Sequence, residues 1–297
     1  MITPWKHSQA TLFSALGALI LLGAVSSAVS AASPEQQERH FTIKNQPVVV
    51  LQNIVNGRIE VKSWKNPEIV VTSSYAPSKV EVEIEQVGDR IDISASALTE
   101  STQPHDLEAN FQLLVPEQTE LQLKTQTGLI LVEQVNGDMK LQSVAGDVHL
   151  KEVSGYIIVK TTGGSLVCTQ CAGQLEFTSI SGNAQILQPA LGNVNLITTT
   201  GNILYDGDFV RTGIYTMNSG RGLIEVRFSG SGSFDLSAQT IRGSVDNQAA
   251  DFIKPDTHAS RHNKGKFANS FFGTVGMGLA KVELSSYSGT IRILKRN

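Results

Sequence analysis

Glycine recurs through the middle of this chain at Gly128, Gly137, Gly146, Gly155, Gly164, Gly173, Gly182, Gly192 and Gly201, in steps of nine residues with one step of ten that contains Pro189. A short fixed period constrains architecture more than local propensity does, because each unit must pack on the next. The second residue after each glycine is apolar: Ile130, Met139, Val148, Ile157, Leu166, Leu175, Ala184, Val194 and Ile203. The fourth is apolar or Cys: Val132, Leu141, Leu150, Val159, Cys168, Phe177, Ile186, Leu196 and Tyr205. The residue between them varies and is often polar, which is the alternation of a half-buried strand. Two residues before most glycines, Val135, Val144, Val153, Cys171, Ile180 and Ala190 read as inward positions too. Each unit is therefore one short strand and one corner, with glycine where a Cβ would clash or φ must be positive.

An antiparallel meander and a parallel solenoid both accommodate this period. The solenoid is favoured because Thr-rich corners (Thr125-Gln126-Thr127, Thr161-Thr162-Gly163, Thr198-Thr199-Thr200) recur at 36 or 37 residues, two coils apart. Stacked coils also explain why the inward slots never change phase. The expected fold is all-β: a single-stranded parallel β-helix with two short strands per coil of about eighteen residues.

Residues 1–32 read as a signal peptide, with Lys6 in the n-region, an apolar run from Leu12 to Val25, and small residues up to Ala31 and Ala32. The run is short for a membrane anchor, and no other stretch suits a transmembrane segment. Export to the periplasm, the cell surface or the medium follows. A mature chain of about 265 residues can bury a large core. The net charge, −3 for the whole chain and −4 once Lys6 is removed, offers no basic surface for nucleic acid.

Ser33 to His40 reads as a polar leader. Looser strand-like runs follow at 41–44, 48–52, 58–62, 69–72, 80–84, 90–94, 111–115 and 121–123, punctuated by Asn45-Gln46-Pro47, Asn56-Gly57, Asn66-Pro67 and Gly88-Asp89. Residues 33–125 are expected to form an N-terminal β-rich or capping part continuous with the solenoid, and residues 126–297 the solenoid itself. Strands continue at 214–217, 223–228, 234–237, 241–245, 280–284 and 290–294. A polar excursion at 246–266 contains Pro255, and 273–278 is glycine-rich.

Several stretches together resemble the DUF4097 family of β-strand-repeat proteins, whose members carry the label "putative adhesin", and are similar to head-GIN-type adhesins. The carriers are Val55-Asn56-Gly57-Arg58-Ile59-Glu60-Val61 with Trp64, Leu114-Val115-Pro116, the glycine corners from Gly128 to Gly201, and Tyr287-Ser288-Gly289-Thr290-Ile291-Arg292-Ile293. The match runs over roughly residues 41 to 294. It implies a single-stranded β-helix in the cell envelope and brings no catalytic residues.

Few residues offer chemistry. Cys168 and Cys171 are the only cysteines, and both fall on inward slots near one corner. No second pair supports zinc, and no His follows Cys171 to support covalent haem. In an exported protein the pair is expected to be a disulfide, worth about 2 kcal/mol for so short a loop, with two buried thiols or a redox pair as alternatives. His258 and His262, near Asp256, lack a helical pattern and read as a solvated loop. Calcium-binding rolls need an acid in every unit, yet here only Asp138 and Asp147 follow the glycine, while Tyr156, Ser165, Gln174, Asn183, Asn193 and Asn202 take that place elsewhere. Asp206 and Asp208 read as a turn. No metal, cofactor or catalytic residue is assigned.

A β-helix enzyme acting on polysaccharide would need paired carboxylates on one outward face. One face holds Lys140, Ile158, Glu176 and Asn195, the other Leu131, His149, Val167, Gln185 and Leu204, and neither supplies the pair. The expectation is a non-enzymatic, adhesin-like interaction or structural module, with a carbohydrate-active enzyme as the alternative. Its partner would be an envelope protein or polymer, or a second copy. Leu131, His149, Val167, Gln185 and Leu204 are the candidate contact face, unless residues 41–125 or a neighbouring loop cover it.

Overall fold

Among the described residues, repeated alternation of buried and outward side chains gives twenty-five strands and no helix. The structure is a computed structural model that describes residues 35–98, 107–256 and 269–296. The expected signal peptide, with His258 and His262, lies outside the described residues.

The first seven strands are β1 (Glu35–Thr42), β2 (Val48–Asn53), β3 (Ile59–Trp64), β4 (Glu68–Tyr75), β5 (Val80–Val87), β6 (Arg90–Ala97) and β7 (Ala109–Pro116). The periodic region contributes β8 (Glu120–Thr125), β9 (Leu129–Glu133), β10 (Met139–Ser143), β11 (Asp147–Lys151), β12 (Ser154–Thr161), β13 (Leu166–Thr169), β14 (Ala172–Ser179), β15 (Ala184–Leu187), β16 (Ala190–Thr198) and β17 (Ile203–Asp206). Even and odd strands of this region alternate between two sheets, here called B and A, so each coil is one strand of each. Leu121, Met139, Ile157, Leu175, Val194 and then Tyr215 stack in one inward column of parallel partners, and all are buried. The chain is thus a parallel β-solenoid of two strands per coil, and the meander is excluded by this pairing.

The two corners of each coil differ. From sheet B to sheet A the chain runs Ser/Thr-x-x-Gly. The hydroxyl turns inward and accepts the glycine N–H: Ser143 from Gly146 at 2.7 Å, Ser179 from Gly182 at 2.8 Å and Thr198 from Gly201 at 3.1 Å. Among the described residues no buried side-chain polar atom lacks a partner. Here the glycine answers a close approach: a Cβ on Gly164 would lie 1.9 Å from the carbonyl oxygen of Gly146 one coil below. Val144 and Ile180, expected inward, are instead exposed at 53% and 58%, because the hydroxyl before them takes the inward place. At the other corner Val135, Val153 and Cys171 do point in, whereas Ala190 is exposed. There the left-handed backbone falls on Gln134, Glu152, Gln170 and Gln188 (φ 58°, 54°, 54° and 50°) as well as on glycines.

Both ends depart from simple winding. Strands β2 and β3 pair directly with β8 and β9, and β6 and β7 lie on their far side, so the fourth to seventh strands form the outer end although they come later in sequence. The segment expected to be a leader is β1, antiparallel to β4. After β18 (Ile214–Ser219) and β19 (Ile224–Phe228) the chain makes β20 (Phe234–Thr240), β21 (Ser244–Asn247), β22 (Lys254–Pro255) and β23 (Asn269–Val275). It then returns as β24 (Ala280–Ser286) and β25 (Thr290–Lys295), inserted between β18–β19 and β20–β21. Strand β23, antiparallel to β20, occupies much of the stretch read as merely glycine-rich. The polar excursion contains the end of β21, a turn that buries Ala249 and Ile253, and β22, while its residues 257–266 lie outside the described residues.

Two measurements test this architecture. Ile157 is fully buried and Ile158 faces out. Ile157→Asp should cost several kcal/mol through a buried unpaired charge, and Ile158→Asp far less; equal, large losses of melting temperature would contradict the strand register. The adjacent glycines Gly163 and Gly164 give a sharper contrast, because a Cβ on Gly163 meets nothing closer than 3.6 Å. Gly164→Ala should destabilise by about 2–4 kcal/mol and Gly163→Ala by under about 0.5 kcal/mol, measured by denaturant unfolding.

Candidate functional site

Strand register assembles the outward faces. On sheet A, Leu131, His149, Val167, Gln185 and Leu204 occupy one straight column on five successive coils. All are half-buried by their neighbours except Gln185, which is exposed. Residues 41–125 do not cover this column as one expectation had it. They lengthen both sheets at one end, with Glu60 of β3 extending the column past Leu131.

Beside this column runs a ladder made by the residues that follow the glycines. Asp147 Oδ1 accepts the Ser165 N–H (2.7 Å), Ser165 Oγ the Asn183 N–H (3.3 Å), Asn183 Oδ1 the Asn202 N–H (2.8 Å), and Asn202 Oδ1 the Leu223 N–H (2.8 Å). Each side chain thereby satisfies a backbone donor in the next coil.

Toward the C-terminal end the same face becomes charged. Directly paired strands place Leu204 beside Glu225, Glu225 beside Arg292, and Arg292 beside Asp246. Glu225 is buried and accepts from Arg227 Nε (2.8 Å) and Nη2 (2.5 Å) and from Arg292 Nη1 (3.1 Å). Its bond to Glu225 holds the Arg292 guanidinium above its ordinary pKa, with Asp246 adding to the effect. Asp206 and Asp208 share Arg296 at 3.3 and 3.5 Å, and Arg227 approaches Asp206 at 3.7 Å. They line a recess of about 650 Å³ with Gln188 and Pro189. This cluster was invisible in the sequence, because its members are up to 90 residues apart. Every carboxylate in it faces a guanidinium, which favours a fixed ion network over proton transfer.

Sheet B presents different chemistry. Near its N-terminal half lie Lys124, Lys140 and Lys160 among Gln52, Gln122 and Gln142. Farther on, two columns border a groove of about 400 Å³: Tyr156, Gln174, Asn193 and Ile214 on one side, Glu176, Asn195 and Thr216 on the other. The Tyr156 hydroxyl donates to Glu176 Oε1 at 2.6 Å, and that bond to a carboxylate raises the phenol pKa. The extra residue of the ten-residue step falls where β14 and β16 shift register, beside this groove.

The family model described as Toastrack DUF4097 matches residues 53–294. The chain belongs to that family. Among solved structures, this Toastrack chain is similar to a "putative adhesin" from Bacteroides fragilis, at 11% identity over 88% of this chain and 98% of that one, with a TM-score of 0.48. It is also similar to a "putative cell adhesion protein" from Clostridium sporogenes, at 11% identity over 89% and 100% of the two chains, with a TM-score of 0.29. A "putative lipid binding protein" from Parabacteroides distasonis gives 9% identity, 88% and 97% coverage, and a TM-score of 0.27. Similarity this low does not bear on what the present chain binds. No curated protein matches it.

Within the Toastrack solenoid Cys168 stands in the inward column of sheet A, between Leu150 and Ile186, and Cys171 belongs to the inward corner column. Both are fully buried and joined to each other, with Cα atoms 6.0 Å apart. Among the described residues no three His, Cys, Asp or Glu side chains converge as a metal site would require, and no helix is long and apolar enough to cross a membrane. Mature protein taken from an oxidising compartment should show no free thiol when denatured without reductant; two titratable thiols would remove the disulfide.

Proposed function

We propose that the mature protein is an exported, non-enzymatic module of the cell envelope that acts by presenting its sheet faces to a partner, either an envelope protein or polymer or a second copy of itself. Residues 1–32 serve as the cleaved leader, residues 33–125 as the capping part and residues 126–297 as the repeating body. The observation that carries this reading is the column Leu131–His149–Val167–Gln185–Leu204. Three aliphatic side chains, alternating with His149 and Gln185, stand in register on an outward face over five successive coils. Aliphatic side chains aligned in one column form a contact surface more readily than scattered single residues do. The ion network supports the non-enzymatic half of the reading, because its carboxylates are engaged by guanidinium groups.

The test is the double variant Val167→Lys with Leu204→Lys. Both side chains are outward, so the melting temperature should stay close to wild type. Capture of the partner from isolated envelopes, or self-association in sedimentation, should fall by about tenfold or more. A variant that keeps full binding and association removes this face as the site. A loss of several kcal/mol in stability would mean that the face is covered within the chain.

A further inference from the structure

The sheet B groove gathers three unbonded amides between a tyrosine and an isoleucine. Several outward amides are tied into the fold: Asn183 and Asn202 cap the next coil, Gln134 donates to Glu152, Asn136 to Glu117, and Gln122 to Glu120. Gln174, Asn193 and Asn195 have no side-chain partner among the described residues, and Gln174 and the two asparagines are all exposed. They occupy adjacent places on β14 and β16, so their donors and acceptors converge on one groove.

The ends of the groove are apolar. Tyr156, 37% exposed, closes one end with its hydroxyl held by Glu176, which limits the ring's freedom. Ile214, 55% exposed, stands at the other. From β12 to β18 is three strand spacings, about 14 Å, which suits a short oligomer lying across the coils. No Lys or Arg lines the groove, and its one charged side chain is Glu176.

We infer that this groove is a binding site for a neutral oligosaccharide. Sugar hydroxyls both donate and accept, which primary amides match with one donor and one acceptor group each. The C–H faces of sugar rings are apolar and suit an exposed tyrosine ring and an isoleucine. A glycan bearing carboxylates would meet Glu176 without a compensating cation. The inference rests on the reading of the chain as an envelope interaction module and names the polymer class that this second face takes.

The experiment titrates the mature protein with chitotetraose, cellotetraose and maltotetraose as neutral probes and with tetragalacturonate as the anionic one, followed by calorimetry and by NMR of the groove residues. At least one neutral probe should bind, with shifts at Tyr156, Asn193 and Asn195. Tyr156→Ala should weaken it by about tenfold or more, and Asn193→Ala with Asn195→Ala should weaken it comparably, with melting temperatures unchanged. Tyr156→Phe, which keeps the ring, should retain most of the affinity. The sheet A double variant should bind the probe as wild type does, which separates this site from the contact face proposed above. Binding of none of the neutral probes, equal binding by Tyr156→Ala, or preference for tetragalacturonate would each overturn the inference and leave the sheet A reading to its own test.

Discussion

The structure depends on how closely one coil can sit on the next at the Ser/Thr-x-x-Gly corner. At Gly182, as at Gly164, the place a Cβ would take is 1.9 Å from the carbonyl oxygen of the glycine below, so no other residue fits the observed spacing. The hydroxyl three residues earlier completes the corner. Ser219 accepts the Gly222 N–H at 2.9 Å and donates to the Gly201 carbonyl at 2.7 Å, linking its own corner to the coil beneath. A buried hydroxyl that is bonded in this way avoids the cost of an orphaned polar group and sets the height at which coils stack. Once that height is set, both sheets inherit their register, and every outward column follows.

The same corner recurs at the C-terminal end, where chain order no longer follows spatial order. Thr240 and Gly243 form it on the outermost coil and Ser286 and Gly289 on the inserted one, at 2.9 and 2.8 Å. Gly243 approaches the Gly289 carbonyl, which in turn sits above Gly222. The last coil therefore belongs between two earlier ones, and the ion pairs of Glu225, Arg292 and Asp246 cross both of its sheet A junctions. At the other end, β5 carries Glu81, Glu83 and Glu85 outward along the sheet B edge, a charge pattern that discourages pairing with another chain.

The period, the two strands per coil and the inward columns were legible because each depends on one residue type at one spacing. Met139, Ile157 and Leu175 declare their place without help from the rest of the chain. The hydroxyl column is equally periodic, at Ser143, Thr161, Ser179 and Thr198, but in sequence the apolar Val144 and Ile180 beside it are the stronger candidates for inward places. Burial of a hydroxyl is worthwhile only when its partners are in place, and those partners lie on another coil. The order of coils at the ends was illegible for a related reason: β20 and β24 have the same alternation, and nothing local says which is outermost. On the sites, the Leu131 to Leu204 column followed from the period alone, whereas the ion network and the groove needed partners brought together by the fold.

The residue after each glycine shows how one sequence position acquires two roles. On sheet A it is Asp147, Ser165, Asn183 and Asn202, and each accepts a backbone N–H from the coil above. On sheet B the equivalents are Asp138, Tyr156, Gln174 and Asn193. Asp138 still accepts the Tyr156 N–H at 3.2 Å, but Tyr156, Gln174 and Asn193 make no such bond. The series breaks where Tyr156 turns its hydroxyl to Glu176 and where the ten-residue step shifts the register of β16. A ladder that ceases to serve the backbone leaves its polar groups available to something else. Sheet A spends this column on holding coils together and keeps an apolar column for contact, while sheet B leaves its amides to the groove.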